Sequence, residues 1–265
     1  MAKLEARGPI DRTRENVVMI PGGPGLGPLS FSLLDNLNKD FNVFFFYPSG
    51  TEGTLQKTIP TYNELILEME ETLFPLKNLI LCGHSFGGIQ AVELAVRNKI
   101  DIKSVICISA PFSNESFSAV ENACENFCTG TVKALDEQFV KDPTDKNHKE
   151  RFIGYAPLYF HQASLQKGIQ MLRNENMSAK NLVGAGGEGR NKFSLLEKLK
   201  SMQMENYFLA GVDDQILPWK ILKADANKGG FKFDVISDAG HFVHFDNPNE
   251  TLNKIREFIY SRRKL

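Results

Sequence analysis

The chain has 265 residues, 42% of them apolar and 24% charged, and a formal net charge of −1. A chain of this length buries roughly 70% or more of its unfolded surface, so it needs neither a disulfide nor a metal as a staple. The near-zero charge leaves no field to gather nucleic acid or anionic lipid, no run approaches the ~20 apolar residues of a membrane span, and the opening Met-Ala-Lys-Leu-Glu-Ala-Arg lacks the apolar centre of a secretory signal.

In chain order, Val17 to Ile20 is an apolar run that stops at Pro21-Gly22-Gly23-Pro24-Gly25, a strand followed by a tight loop. Phe31 to Leu37 has helical spacing, and Asn42 to Tyr47 is an aromatic strand that ends at Pro48. Thr61 and Glu64 form a capping box, and Tyr62, Ile66, Met69 and Leu73 mark one face of the helix it starts. Asn78 to Cys82 reads as a strand and Gly87 to Asn98 as a helix. Lys103 to Ser109, Tyr207 to Ala210 and Phe231 to Ile236 read as further strands. Asn247-Pro248-Asn249-Glu250 opens a last helix, with asparagine at the N-cap, proline at N1 and glutamate at N3. The basic run Arg262, Arg263, Lys264 reads as the solvated end of that helix.

Strands that alternate with helices predict a parallel sheet covered on both faces. Residues 112–202 interrupt that rhythm. They are polar and helical in character, hold no convincing strand, and include a flexible glycine-rich loop from Gly184 to Gly189. A helical insertion over 112–202 in a core made of 1–111 and 203–265 is the simplest arrangement. Of the four cysteines, Cys82 and Cys107 sit in strand-like runs as small apolar residues. Cys124 and Cys128 are spaced i, i+4 with no further ligand in the pattern, so no metal is expected, and the usual setting for such thiols is a reducing cytoplasm.

The segment Gly83-His84-Ser85-Phe86-Gly87 follows a strand and opens a helix. A G-x-S-x-G turn in that context lifts a serine to the top of a sheet, with small flanking residues that let strand and helix pass closely. Ser85 is therefore the candidate nucleophile, and the backbone N–H of Phe86 is a candidate oxyanion donor. A serine of this kind needs a base, and the base needs a carboxylate to orient it. In this architecture the order is serine, acid, histidine. His241 follows Asp238-Ala239-Gly240 at the carboxyl end of the Phe231–Ile236 strand and is the candidate base; His244, three residues on, would point elsewhere. Two adjacent aspartates, Asp213 and Asp214, follow the preceding strand and compete for the acid role. Gly23 in the first loop is the candidate second oxyanion donor, since neither Pro21 nor Pro24 has an N–H.

Together these segments resemble the α/β-hydrolase superfamily. Gly211-Val212-Asp213-Asp214-Gln215-Ile216-Leu217-Pro218 looks like the family's G-x-x-D-x-(I/V)-x-P segment, and the resemblance places the acid at Asp214. Gly240-His241-Phe242-Val243-His244 matches the segment of the base. The likeness runs from about Val17 to Ile259 and leaves the insertion unmatched. It implies an α/β fold with a mostly parallel sheet, helices on both faces, and a helical lid inserted after the sixth family strand.

Pro21-Gly22-Gly23-Pro24-Gly25 resembles the H-G-G-P-G loop of proline iminopeptidases, with Pro21 in place of their histidine. Tyr47-Pro48-Ser49-Gly50 stands where they tend to have D-Q-R-G. The family usually has a strand hairpin ahead of the first strand read here. In the roughly fifteen residues before it, at ~3.3 Å per residue, two full strands barely fit, so a shortened sheet edge, open to pairing in a homodimer, is expected alongside a monomer.

The resemblance implies acyl transfer on a small-molecule or short peptide substrate, with no cofactor. An esterase or thioesterase comes first, an iminopeptidase-like exopeptidase second, and a binding protein that keeps the fold with little turnover third. Phe112 and Phe242, next to candidate site residues, are expected to line an apolar substrate pocket. An aminopeptidase would also need carboxylates for the substrate's ammonium group, for which Glu115, Glu121 and Glu125 lie in a suitable region.

Overall fold

A computed structural model describes residues 1–190 and 192–262. Arg263 and Lys264 of the basic run lie outside the described residues. The strands are β1 (Lys3–Ala6), β2 (Asn16–Ile20), β3 (Asn42–Tyr47), β4 (Leu79–His84), β5 (Ile102–Ile108), β6 (Tyr207–Gly211) and β7 (Lys232–Ile236). They form one sheet in the order β1-β3-β2-β4-β5-β6-β7. Only β1 runs antiparallel; it pairs with β3 from Lys3 opposite Tyr47 to Ala6 opposite Phe44. The other neighbours are parallel. A single four-residue strand thus stands at the edge where relatives usually carry a hairpin.

Two cores, one on each face, explain why the central strands are continuous apolar runs. Successive side chains on a strand point to opposite faces. Val18, Ile20, Phe44, Phe46, Leu79, Leu81, Val105, Cys107, Phe208 and Ala210 belong to one buried cluster. Their alternates Val17, Met19, Val43, Phe45, Ile80, Cys82, Ile106, Ile108, Tyr207 and Leu209 belong to the other. At about 1.5–3 kcal/mol for each large side chain taken fully from water, the two clusters hold the sheet between its helical layers.

The first face is covered by α1 (Tyr62–Leu73) and α2 (Phe86–Arg97). Helix α1 begins with the expected capping box of Thr61 and Glu64. The second face is covered by the segment Leu29–Lys39 and by the C-terminal helix from Pro248 to Arg262. Leu29–Lys39 is a 3₁₀ helix rather than the α-helix that its spacing predicts.

Residues 112–202 carry no strand among the described residues. They form α3 (Asn114–Phe127), α4 (Gly130–Lys141), α5 (Asp145–Gly154), α6 (Ala156–Tyr159), α7 (Leu165–Asn174), α8 (Ala179–Ala185) and α9 (Phe193–Ser201). The last of these differs from the rest. Helix α9 packs on α2 and on α10 (Trp219–Gly229), and Leu195, Leu196 and Leu199 enter the first core cluster. It therefore covers the sheet. The Gly184–Gly189 stretch is also more ordered than expected: its first two residues complete α8, and Gly189 lies against the Phe86 ring. The remaining elements are α11 (Val243–Asp246) and α12 (Pro248–Arg262). No helix among the described residues is long and apolar enough to cross a membrane.

The turn between β4 and α2 depends on close backbone approach. A β-carbon on Gly87 would collide with the carbonyl oxygens of Ile20 and Pro21 at the end of β2. Backbone cannot give way as a flexible side chain can. Gly87→Ala is expected to cost about 1–3 kcal/mol, as overpacking does elsewhere. Urea denaturation checks this, and an unchanged midpoint would contradict the packing described.

Candidate active site

Ser85 sits between β4 and α2 with φ 50° and ψ −120°, outside the regions that L-residues ordinarily occupy. Its N–H donates to the carbonyl oxygen of Ile108 at 2.8 Å, and its own carbonyl accepts from Gly88 N–H at 2.9 Å. These bonds bind the turn to β5 on one side and to α2 on the other. The hydroxyl-bearing residue is thereby held at the carboxyl edge of the sheet, where the chain leaves β2, β6 and β7 as well.

His241 and Asp214 come from the loops after β7 and β6. The aspartate Oδ2 lies 2.9 Å from His241 Nδ1. Its Oδ1 accepts from the N–H groups of Ile216 at 3.0 Å and Leu217 at 2.8 Å. The carboxylate is thus satisfied by three N–H donors, and its side chain is fully shielded from solvent. A carboxylate only accepts, so the proton on His241 sits at Nδ1 and Nε2 is left as the basic nitrogen. Asp213 is exposed and faces His161, at 3.9 Å. Of the two adjacent aspartates, Asp214 is the one the fold brings to the imidazole.

The His241 backbone is clamped on both sides. Its N–H donates to the carbonyl of Tyr159 at the end of α6, at 2.8 Å. Its carbonyl lies 3.1 Å from Nε2 of His84, which donates to it. His84 is also packed against the Phe242 ring, with centroids 4.5 Å apart. His244 turns away, as its position suggested. Its Nε2 hydrogen-bonds Ser30 Oγ at 2.9 Å, and its ring stacks on Phe31. This second serine–histidine pair is buried in the packing between the 3₁₀ helix and α11 and does not border the cavity.

A cavity of about 640 Å³ opens over Ser85 and His241. Gly23, at φ +117°, and Phe86 border it beside Ser85, with Gly22 packed against the Ser85 β-carbon. Positive φ at Gly23 is a conformation that a side chain would strain. Phe242 lines the cavity and stacks on Phe160. Phe112, expected to do the same, does not reach it. That side chain is wholly buried in the first core cluster, and its N–H is held by Ser116 Oγ and Asp225 Oδ2.

The far wall is built by residues that sequence reasoning missed. His148, Arg151 and Phe152 share one face of α5 and border the cavity with Asp136 of α4. Their i, i+3, i+4 spacing is the signal that could have found them. Glu115, Glu121 and Glu125 are exposed instead, and Glu121 pairs with Arg190. Both oxygens of Asp136 are already engaged: Oδ1 takes Arg151 Nε, while Oδ2 takes Tyr155 OH at 2.5 Å and Cys128 Sγ at 3.0 Å. Burial works to raise this carboxyl, and the bonds from Tyr155, Cys128 and Arg151 outweigh it, so the group is held below its ordinary value.

Known proteins share this fold. The family described as alpha/beta hydrolase fold matches residues 15–248. The chain is 21% identical to the proline iminopeptidase PfmaB of Pestalotiopsis fici over 256 residues, covering 92% of this chain and 91% of that protein. Among solved structures it resembles a malate-bound thermophilic esterase from Thermogutta terrifontis, with a TM-score of 0.73 and 19% identity over 98% of this chain and 93% of the other. A carboxylesterase from Nitrososphaera gargenis gives a TM-score of 0.75 and 15% identity over 99% and 95%. At such identities the likeness to solved structures establishes the fold alone.

Burial of neutral histidines makes the chain sensitive to acid. Burial, with the charge of Arg151, pushes His148 down to about 4; burial, with His241 nearby, pushes His244 down to about 3. Both take up a proton near pH 6.5 once the chain unfolds. Below that pH the unfolded chain holds more protons, so stability is full above about pH 6.5 and is lost as pH falls towards the folded values. Each histidine is expected to cost about 2 kcal/mol at pH 5. Urea denaturation at pH 7.5 and pH 5.0 checks this. His148→Gln should lose less stability between the two than the parent chain, and equal losses would contradict the assignment.

Proposed function

Because the chain belongs to the α/β-hydrolase fold family, we propose that it is a serine hydrolase in which Ser85, His241 and Asp214 form the catalytic triad. The observation that carries this reading is the His241–Asp214 pair: three N–H donors hold the buried carboxylate, one of them His241 Nδ1, and His241 lies on the wall of the same cavity that Ser85 borders. The substrate is a small, partly apolar ester or thioester that enters beneath α3 to α8, which act as a lid.

The chemistry follows from the geometry. His241 Nε2 takes the proton of Ser85 Oγ as that oxygen attacks the scissile carbonyl. The negative charge that develops on the carbonyl oxygen is met by the N–H groups of Phe86 and Gly23. Asp214 stabilises the imidazolium and holds its tautomer. The imidazolium then protonates the leaving group, the carbon–leaving-group bond breaks, and an acyl-Ser85 ester remains. Water, deprotonated by His241, attacks that ester and releases the acid. Every group in this cycle belongs to the chain, so no cofactor enters the scheme.

The kinship with a proline iminopeptidase supports a second reading, an exopeptidase on the same triad. Such an enzyme must seat the ammonium group of its substrate. The cavity wall offers Asp136 for this, and both oxygens of Asp136 are engaged by Arg151, Tyr155 and Cys128. That engagement favours the esterase.

A fluorophosphonate probe should label the protein at Ser85, as read by peptide mass spectrometry. Ser85→Ala should abolish labelling, and Asp214→Asn should lower kcat on p-nitrophenyl butyrate by roughly 10³–10⁴-fold. Labelling elsewhere, or full activity in Ser85→Ala, would overturn the triad. Faster release of naphthylamine from proline-naphthylamide than of nitrophenol from the ester would favour the exopeptidase.

A further inference from the structure

One end of the cavity lies beyond Tyr159 and Phe152, whose rings step from His241 to His148, and there His148 presents a feature that the proposed triad does not use. Its ring is 1% exposed, and neither Nδ1 nor Nε2 has a hydrogen-bond partner. It nonetheless borders the cavity. A buried imidazole with two idle nitrogens loses hydrogen bonds that water would have supplied, and in a cavity wall the natural partner is a ligand. Arg151, one turn further along α5, borders the same space and remains partly open to it. Its contact with Asp136 is made through Nε. A guanidinium has five N–H donors, so four remain for another acceptor. Phe139 and Phe152 wall this end around the two polar groups. Among the described residues, the ionised groups of the cavity wall are the guanidiniums of Arg151 and Arg190 and the carboxylate of Asp136, and Arg190 is paired with Glu121.

We propose that this end of the cavity is a subsite for a carboxylate, held by Arg151 and by an N–H of His148, so that the substrate's acyl chain carries a carboxylate at the end remote from the scissile carbonyl. The inference rests on the hydrolase reading and deepens it. A guanidinium fork matches the geometry of a carboxylate, and such a charge-assisted bond is stronger than one between neutral groups. Neutral His148 adds a donor without placing a second full charge beside Arg151. The aromatic walls accommodate the methylenes that join the two ends of the substrate. The same arrangement repels the ammonium group of an aminopeptidase substrate, in line with the engagement of both Asp136 oxygens by Arg151, Tyr155 and Cys128.

Two measurements test this, and they separate the subsite from the hydrolase reading. The first compares mono-p-nitrophenyl esters of dicarboxylic acids, from succinate to suberate, with p-nitrophenyl esters of unsubstituted acids of equal length. At one chain length the carboxylated ester should show a higher kcat/KM, mainly through KM. Arg151→Gln should reduce that preference by roughly 10- to 100-fold, and Arg151→Lys should restore part of it. A folding defect would slow both esters alike and leave their ratio unmoved, so an unchanged ratio in a folded Arg151→Gln overturns the proposal.

The second titrates the free dicarboxylates, from succinate to suberate, into Ser85→Ala by calorimetry. Binding is expected at the length preferred in kinetics, and is expected to vanish when Arg151→Gln is added. Binding without any ester turnover in the parent chain would sink the hydrolase reading and leave the subsite standing. No binding of any dicarboxylate, or equal binding of the corresponding diamides, would sink the subsite whatever the esterase result.

Discussion

Ser85 holds a backbone conformation, φ 50° and ψ −120°, that costs of the order of 1–3 kcal/mol for a residue with a side chain. It persists because everything around it is already committed. Its N–H is bound to the end of β5, and its carbonyl begins the hydrogen bonding of α2. Gly87 on its far side lies so close to the end of β2 that no side chain fits. The sheet order places β4 at the centre, between β2 and β5. The loops that leave β2, β6 and β7 then fall around this one turn. The arrangement of the cavity follows from that constraint.

The insertion is joined to the same point. Tyr159, at the end of α6, accepts the N–H of His241, and His84, next to Ser85 in sequence, donates to the His241 carbonyl. The imidazole is therefore positioned by three segments: the β6 loop through Asp214, the β4 turn through His84, and the insertion through Tyr159. In the proposed mechanism, movement of the insertion would be felt directly at the base. The same insertion brings α5 over the cavity, so the helix that would choose the substrate and the carbonyl that holds the base belong to one piece of chain.

The sheet was legible because parallel strands buried on both faces must be continuously apolar, and Val17–Ile20, Val43–Tyr47 and Tyr207–Ala210 are. Ser85 was legible because its turn needs small residues at fixed offsets from the serine. The choice of Asp214 over Asp213 came from resemblance alone, since two adjacent carboxylates differ only in the direction the loop gives them. The far wall was hidden. His148 and Arg151 sit on a polar helix that packs on α4 and α7 while these two side chains meet the cavity, so no continuous apolar stripe marks the inward face. Phe112 misled for the converse reason: nearness in sequence to a strand end says little about which side of the chain meets the core, and that ring went inward. Helix α9 shows the same limit, because its leucines answer α2, far earlier in the chain, and α10, on the other side of β6.

In the proposed mechanism, Ser85 and the N–H groups of Phe86 and Gly23 converge on one reacting carbon and its oxygen. A crystal structure with an alkyl boronic acid, whose tetrahedral adduct imitates the intermediate, tests it most directly. The account predicts a boron–oxygen bond to Ser85 Oγ, one boronate oxygen within hydrogen-bond distance of both N–H groups, and His241 Nε2 against Oγ or the second boronate oxygen. An adduct on another residue, or one at Ser85 whose oxygens face away from Phe86 and Gly23 with His241 out of reach, would contradict it.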